Sequence, residues 1–335
     1  MLFALPPTPI IRLGKFVWTT LWQTMMSNMA PSDKSGAYIR PQSQFRKTIG
    51  TEPDNPHPPA EGRYQLFVGM GCPWAHRTLV VRALKGLENA ISVGLVVPSP
   101  NDGMWVFETP QEGCQSLPEL YRLAKPGYDG RSTVPVLWDK QKRAIVNNES
   151  SEIIVMLNAE FNHFAKHPEL DLYPSELKTE IDRWNEQIYD AVNNGVYRCG
   201  FAQTQIAYDR ACEELFSMLD RIDRTLEERR YLCGDRLTLA DVRLFTTLFR
   251  FDIVYYSLFK CNRRRIQDYL HLGSYLRDLY QLPGVAETCD LEQVKRDYYG
   301  NLFPLNPGGI IPSGPDITQL HHPHDRDRFG TATGG

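Results

Sequence analysis

Residues 69–77 read Gly-Met-Gly-Cys-Pro-Trp-Ala-His-Arg. They follow an apolar run of β type, Tyr64-Gln-Leu-Phe-Val68, and open a helical stretch from Thr78 to Gly86. A second β-type run, Ile91 to Val97, comes next. This β–α–β spacing fits two parallel strands joined by a right-handed crossover. It also puts Cys72 at the strand-to-helix turn, with its sulfur against the first free N–H groups of the helix. Those groups and the helix dipole favour an anion, so the spacing predicts a thiolate that forms more easily than on a free cysteine.

A small thiol that merely packs is the plain alternative for Cys72. The strand before it, Pro73 after it and the basic pair His76-Arg77 favour a reactive cysteine. Position 75 is alanine, which excludes the dithiol motif Cys-x-x-Cys. With no resolving thiol nearby in sequence, an oxidised Cys72 needs an external thiol, and glutathione is the obvious candidate.

The 335 residues are enough for two domains, and 42% hydrophobic with 23% charged residues suits a soluble globular protein. A formal charge of −3 gives no basic excess for nucleic acid, and Arg263-Arg-Arg265 reads as a solvated helix start. Seven scattered cysteines are no disulfide framework and point to a reducing, cytoplasmic setting. His163 and His167, and the tail cluster His321, His322 and His324, lack cysteines at zinc spacing, so no metal is expected. Residues 8–29 are apolar but interrupted by Arg12 and Lys15, too short of apolar residues to span a bilayer. They read as an amphipathic helix packing on the protein or a partner, with membrane-surface contact as the lesser alternative.

Residues 1–62 read as an N-terminal extension, with a Pro- and Ser-rich arm from 31 onward, and 63–160 as an α/β domain. Residues 98–132 are a long connection containing Trp105 and Tyr121. Ser132 to Val146 is expected to form an antiparallel hairpin, and Thr-Val-Pro135 suggests a cis peptide that frees the Val134 backbone to pair with a ligand. Glu149 and Ser150 stand where the next helix starts and can hold an ammonium and a carboxylate; simple capping is the alternative. Residues 174–300 are helical, with a capping box at Thr238 and Asp241. The tail, 301–335, is rich in Pro, Gly and His and reads as irregular.

This order resembles the cytosolic glutathione transferases, a thioredoxin-like α/β domain followed by an all-α domain. It is similar in detail to their xi class, the glutathionyl-hydroquinone reductases. The resemblance rests on Cys72-Pro-Trp-Ala-His-Arg-Thr78, Gly130 to Asp139, Val146 to Glu152, Asn193 to Phe201, Arg243 to Leu248, Phe259 to Asn262, Leu279 to Gly284, Tyr298-Tyr299 and Asn306 to Pro312. It covers residues 36–315; Gly69-Met-Gly71 is more glycine-rich than the family pattern.

The resemblance implies Cys72 as nucleophile and Val134 pairing with the cysteinyl part of glutathione. Glu149 and Ser150 would hold its γ-glutamyl head, flanked by Trp105 and Arg131. Tyr197 and Tyr298 would face the quinol ring as catalytic groups, with Tyr299 beside them. It also implies aromatic quinol conjugates as substrates and a homodimer. The same cysteine would serve an omega-like thioltransferase or dehydroascorbate reductase, or sit in a non-catalytic binding module.

Overall fold

The computed structural model describes residues 7–101 and 103–330. A long helix, α1 (Thr8–Met29), comes first. The α/β layer then runs β1 (Tyr64–Val68), α2 (Pro73–Leu84), β2 (Ile91–Pro98), β3 (Trp105–Gln111), β4 (Cys114–Ser116), α3 (Leu117–Ala124), β5 (Val136–Asp139), β6 (Ala144–Asn147) and α4 (Ser150–Ala159). The second layer is helical: α5 (Lys178–Ile188), α6 (Gly195–Gly200), α7 (Gln205–Glu228), α8 (Leu239–Arg250), α9 (Leu270–Tyr280) and α10 (Leu291–Asn301). This is the α/β plus all-α architecture expected from the sequence.

The sheet order is β4-β3-β2-β1-β5-β6. β1 and β2 are parallel, with Tyr64 opposite Ile91, and the other pairs are antiparallel. Every residue of β1 and β5 is buried, as central strands covered on both faces require. The long connection 98–132 is ordered: it adds β3, the edge strand β4 and the helix α3. β3 has one buried residue in seven and β4 is only three residues long, so no apolar run announces them.

The N-terminal arm is strapped along β6. Lys47 N–H donates to the Val146 carbonyl and Asn147 Nδ2 to the Lys47 carbonyl, both at 3.0 Å. Phe45 packs edge-on against Tyr121, with ring centres 5.4 Å apart. The arm ends at His57, whose Nδ1 lies 2.8 Å from Asp139 Oδ2; Arg63 bonds the same buried carboxylate at 2.5 Å. The capping box forms as read: Thr238 N–H reaches Asp241 Oδ2 at 2.8 Å.

Two helices end in a wide π turn, Tyr189–Asn193 after α5 and Phe251–Tyr255 after α8. Such turns often mark functional sites, and the second one carries Tyr255. From 302 to 330 the chain is irregular apart from two short 3-10 turns, Thr318–His321 and Arg326–Phe329. It is not loose throughout, because Arg326 is fully buried and bonds the carbonyls of Arg229 and Arg230.

Candidate active site

Cys72 occupies the position before α2, and its Sγ donates to the Val134 carbonyl at 3.6 Å. The Val134–Pro135 peptide is cis. Pro135 has no N–H for the ladder, so β5 starts only at Val136. Burial is the largest influence on the thiol and pushes its pKa up. The N–H groups of Ala75 and Trp74 and the charges of Arg40 and Arg250 act the other way without overturning burial. The sequence reading of an easily ionised thiol is therefore corrected for the free protein. The helix N-terminus is in place, but the desolvation around it outweighs it.

A pH prediction follows, because only the thiolate alkylates. Iodoacetamide labelling of Cys72 in ligand-free protein should titrate with a midpoint above the ordinary thiol value of about 8.5. Arg40→Ala removes a charge that lowers the pKa, so its midpoint should lie higher still. A midpoint below 8 in the wild type would contradict this balance.

The loop carrying Cys72 is held from the helical layer. Arg250, at the end of α8, is buried; its Nε donates to the Gly71 carbonyl at 2.9 Å and its Nη2 to the Met70 carbonyl at 2.6 Å. From α10, Asp297 Oδ2 accepts the Gly71 N–H at 2.8 Å. Burial raises the Asp297 carboxyl to about 6. The glycines of this loop have steric reasons. A Cβ on Gly69 would lie 2.5 Å from the Trp105 ring, and one on Gly71 would lie 2.5 Å from Asp297 Cβ.

An open cleft lies beside this turn, with Trp74, Val134 and Pro135 in its wall. Arg131, Val134, Glu149 and Ser150 line it from the α/β layer, and Tyr38, Arg40 and Ser43 close it from the arm. Glu149 caps α4, accepting from Ser151 N–H at 3.1 Å and from the Ser43 hydroxyl at 3.0 Å. Burial opposes its charge, but these bonds, the Ser151 hydroxyl and Arg77 hold the carboxyl below its usual range. Ser150 opens α4, its hydroxyl 3.5 Å from Arg77 Nη1. The Trp74 ring carries the guanidiniums of Arg40 at 3.9 Å and Arg77 at 4.4 Å from its centre. Trp105 is not among the residues lining this cleft; it packs on Gly69.

Beyond Cys72, tyrosine hydroxyls meet. Tyr197 on α6 and Tyr298 on α10 are 2.6 Å apart, and Tyr255 lies 3.1 Å from Tyr298 and 3.4 Å from Tyr197. The Tyr197 ring stacks on Trp74, two residues after Cys72. Burial raises all three phenols, Tyr197 and Tyr298 strongly, so they stay protonated and can donate. Tyr299 does not join them: its hydroxyl donates to the Ile253 carbonyl at 3.0 Å and meets Ser257 Oγ. Successive helical residues point about 100° apart, so Tyr298 and Tyr299 cannot share one cluster.

Sequence reasoning missed Arg40, Arg250, Asp297 and Tyr255. Among the described residues no group of His, Cys, Asp and Glu is arranged to hold a metal ion. No described helix is long and apolar enough to cross a membrane.

Residues 71–160 match the family model "Glutathione S-transferase, N-terminal domain", and residues 205–281 match "Glutathione S-transferase, C-terminal domain". The chain is 45% identical to Glutathionyl-hydroquinone reductase YqjG of Escherichia coli (strain K12), over 94% of this chain and 98% of that protein. The glutathione-bound structure of YqjG superposes with a TM-score of 0.79 at 46% identity, covering 85% of this chain and 96% of that one. The crystal structure of the glutathione-S-transferase Xi from Phanerochaete chrysosporium gives a TM-score of 0.83 at 45% identity, covering 88% and 97%. Glutathione S-transferase omega-like 2 of Schizosaccharomyces pombe (strain 972 / ATCC 24843) is 45% identical over 85% of this chain and 95% of its own length.

Proposed function

This chain belongs to the glutathione transferase family, among its xi-class glutathionyl-hydroquinone reductases, and from that membership we propose that it reduces glutathionyl-hydroquinones at the expense of glutathione, with Cys72 as nucleophile. One observation carries this reading. Cys72 touches Val134, which lines the cleft with Glu149 and Ser150, and stands two residues before Trp74, on which Tyr197 of the protonated tyrosine group stacks.

The reaction takes place in two steps. Cys72 sulfur attacks the glutathione sulfur of the conjugate. The sulfur–aryl bond breaks, a Cys72–glutathione mixed disulfide forms, and the ring carbon keeps the electron pair. That carbon takes a proton, and the thiol proton of Cys72 balances it. Tyr197 and Tyr298, with Tyr255 behind them, would relay the proton or hold the phenolic oxygens. Free glutathione then attacks the mixed disulfide, releasing glutathione disulfide and restoring the thiol, which gives ping-pong kinetics. In the bound tripeptide, the Glu149 carboxylate would meet the γ-glutamyl ammonium and the Ser150 hydroxyl its carboxylate. The Val134 backbone would pair with the cysteinyl unit, and Arg131 would sit alongside. Trp105 would act by shaping the Gly69 turn rather than by flanking the ligand. The setting would be cytoplasmic and the assembly a homodimer.

Tyr197→Phe should slow quinol release by about a hundredfold. It should leave mixed-disulfide formation with a small symmetric disulfide unchanged. Equal slowing of both reactions would show that the hydroxyl serves the fold and not the ring. An omega-like thioltransferase would show the reverse preference: dehydroascorbate or small mixed disulfides would turn over faster than any glutathionyl-hydroquinone. The protonated tyrosines favour the aromatic substrate, because a disulfide leaving group needs no proton on carbon.

A further inference from the structure

The first helix is an anomaly in this fold. Only Met26 is buried in α1, with Trp22 and Met29 packed partly on the core near its C-terminal end. Residues 8–21 form roughly four turns, and all but Ile11 of them are exposed. At 3.6 residues per turn, Ile10, Leu13, Val17 and Leu21 fall along one stripe, with Phe16 and Trp18 on its flanks. These six side chains are 47–70% exposed. The stripe continues onto the protein body, where Trp18 meets the half-exposed ring of Phe303 at 6.5 Å. An exposed apolar surface of this kind is rare without a partner.

Charge identifies the partner. Arg12 and Lys15 are the only charged residues between Thr8 and Ser32, and they lie on the side of the helix opposite the stripe. The chain as a whole carries a formal charge of −3, whereas residues 8–32 carry two cations and no acid. Cations on one face, with Trp, Phe and Leu on the other, are the pattern of a helix lying in a membrane interface. The long Arg and Lys stems reach from that plane to anionic headgroups. In a pair of copies joined stripe to stripe, Arg12 and Lys15 would face water and add nothing to the contact, whereas an anionic lipid surface uses both faces of the helix.

We infer that α1 is a peripheral membrane anchor. Its apolar stripe enters the outer acyl region of an anionic lipid surface, and Arg12 and Lys15 contact the headgroups. The helix lies on the bilayer and does not cross it. The inference rests on α1 alone and is independent of the reaction proposed for Cys72.

The test is sedimentation of the full-length protein with phosphatidylcholine vesicles containing 30% phosphatidylserine, or with phosphatidylcholine alone. The anionic vesicles should carry the wild type down, the neutral ones at least about tenfold less, and 0.5 M salt should release it. The double variant Leu13→Asp/Val17→Asp should lose binding at least about tenfold. The double variant Arg12→Glu/Lys15→Glu should do the same. Both change exposed positions only, so circular dichroism and turnover should match the wild type. Wild type remaining in the supernatant with anionic vesicles would overturn the inference, as would undiminished binding by the Leu13/Val17 variant. If that variant instead turns a dimer into a monomer and the wild type ignores lipid, the face belongs to a second copy and the inference fails.

Discussion

Cys72→Ser should lower turnover of a glutathionyl-hydroquinone by at least about a thousandfold. A serine hydroxyl is nearly isosteric, so the α2 turn, the cis Val134–Pro135 peptide and the cleft should be unchanged. What disappears is a soft sulfur able to attack another sulfur and then be displaced from it. Six other cysteines are present, but Cys114, Cys199, Cys212, Cys233 and Cys261 are buried. Cys289 is half-buried, and burial holds its thiol up at about 12. It is also taken up by neighbours, with its Sγ 3.5 Å from the Val285 carbonyl and 3.7 Å from His76 Nε2. None can replace Cys72. A serine variant with more than a tenth of wild-type turnover would refute covalent catalysis at this position.

Arg250→Leu should destabilise the fold by roughly 3 kcal/mol or more and cut turnover in what remains folded. The guanidinium is the one group joining α8 to both carbonyls of the Met70-Gly71 loop. It also donates to His76 Nδ1 at 2.9 Å. Arginine only donates, so Nδ1 accepts and Nε2 carries the proton, which goes to Thr288 Oγ1 at 2.8 Å. Burial and the Arg250 charge keep His76 neutral, consistent with that tautomer. Leucine leaves the Met70 and Gly71 carbonyls and His76 Nδ1 without their donor and loosens the peptide that precedes Cys72. Urea unfolding with turnover measured on the same preparation checks both parts. Arg250→Lys keeps the charge but cannot reach every acceptor, and should fall between the two. A leucine variant with the wild-type urea midpoint would contradict the clamp.

The legible parts of this protein are those in which neighbours in sequence are neighbours in space. Cys72 before Pro73, the cis proline after Val134, Glu149 before α4 and the Thr238–Asp241 box are all local, and each reads directly. What escaped was assembled across the chain. Arg250 meets Gly71 from 179 positions away and Asp297 meets it from 226 away. A charged residue at the end of an apolar helical run looks the same whether it is solvated or buried. The surplus glycines at 69 and 71 have no local cause in the sequence; the cause is Trp105 and Asp297 arriving from elsewhere. Tyr255 gave no signal among sixteen tyrosines, since only the π turn after α8 brings it to Tyr197 and Tyr298. The sequence of helix α1 predicts an amphipathic helix that packs on the protein or a partner, with membrane-surface contact as the lesser alternative. It is amphipathic, but its stripe faces away from the core, and periodicity alone cannot tell which side a helix presents to its own protein.

The most direct test is a single turnover without free glutathione. Excess enzyme is mixed with glutathionyl-hydroquinone, quenched in acid, and the quinol and the protein are measured together by chromatography and peptide mass spectrometry. The account expects one quinol released per conjugate consumed, with a matching amount of glutathione in disulfide linkage to Cys72, discharged when glutathione is added. Quinol release that waits for added glutathione, or a peptide containing Cys72 that stays unmodified while quinol appears, would contradict it.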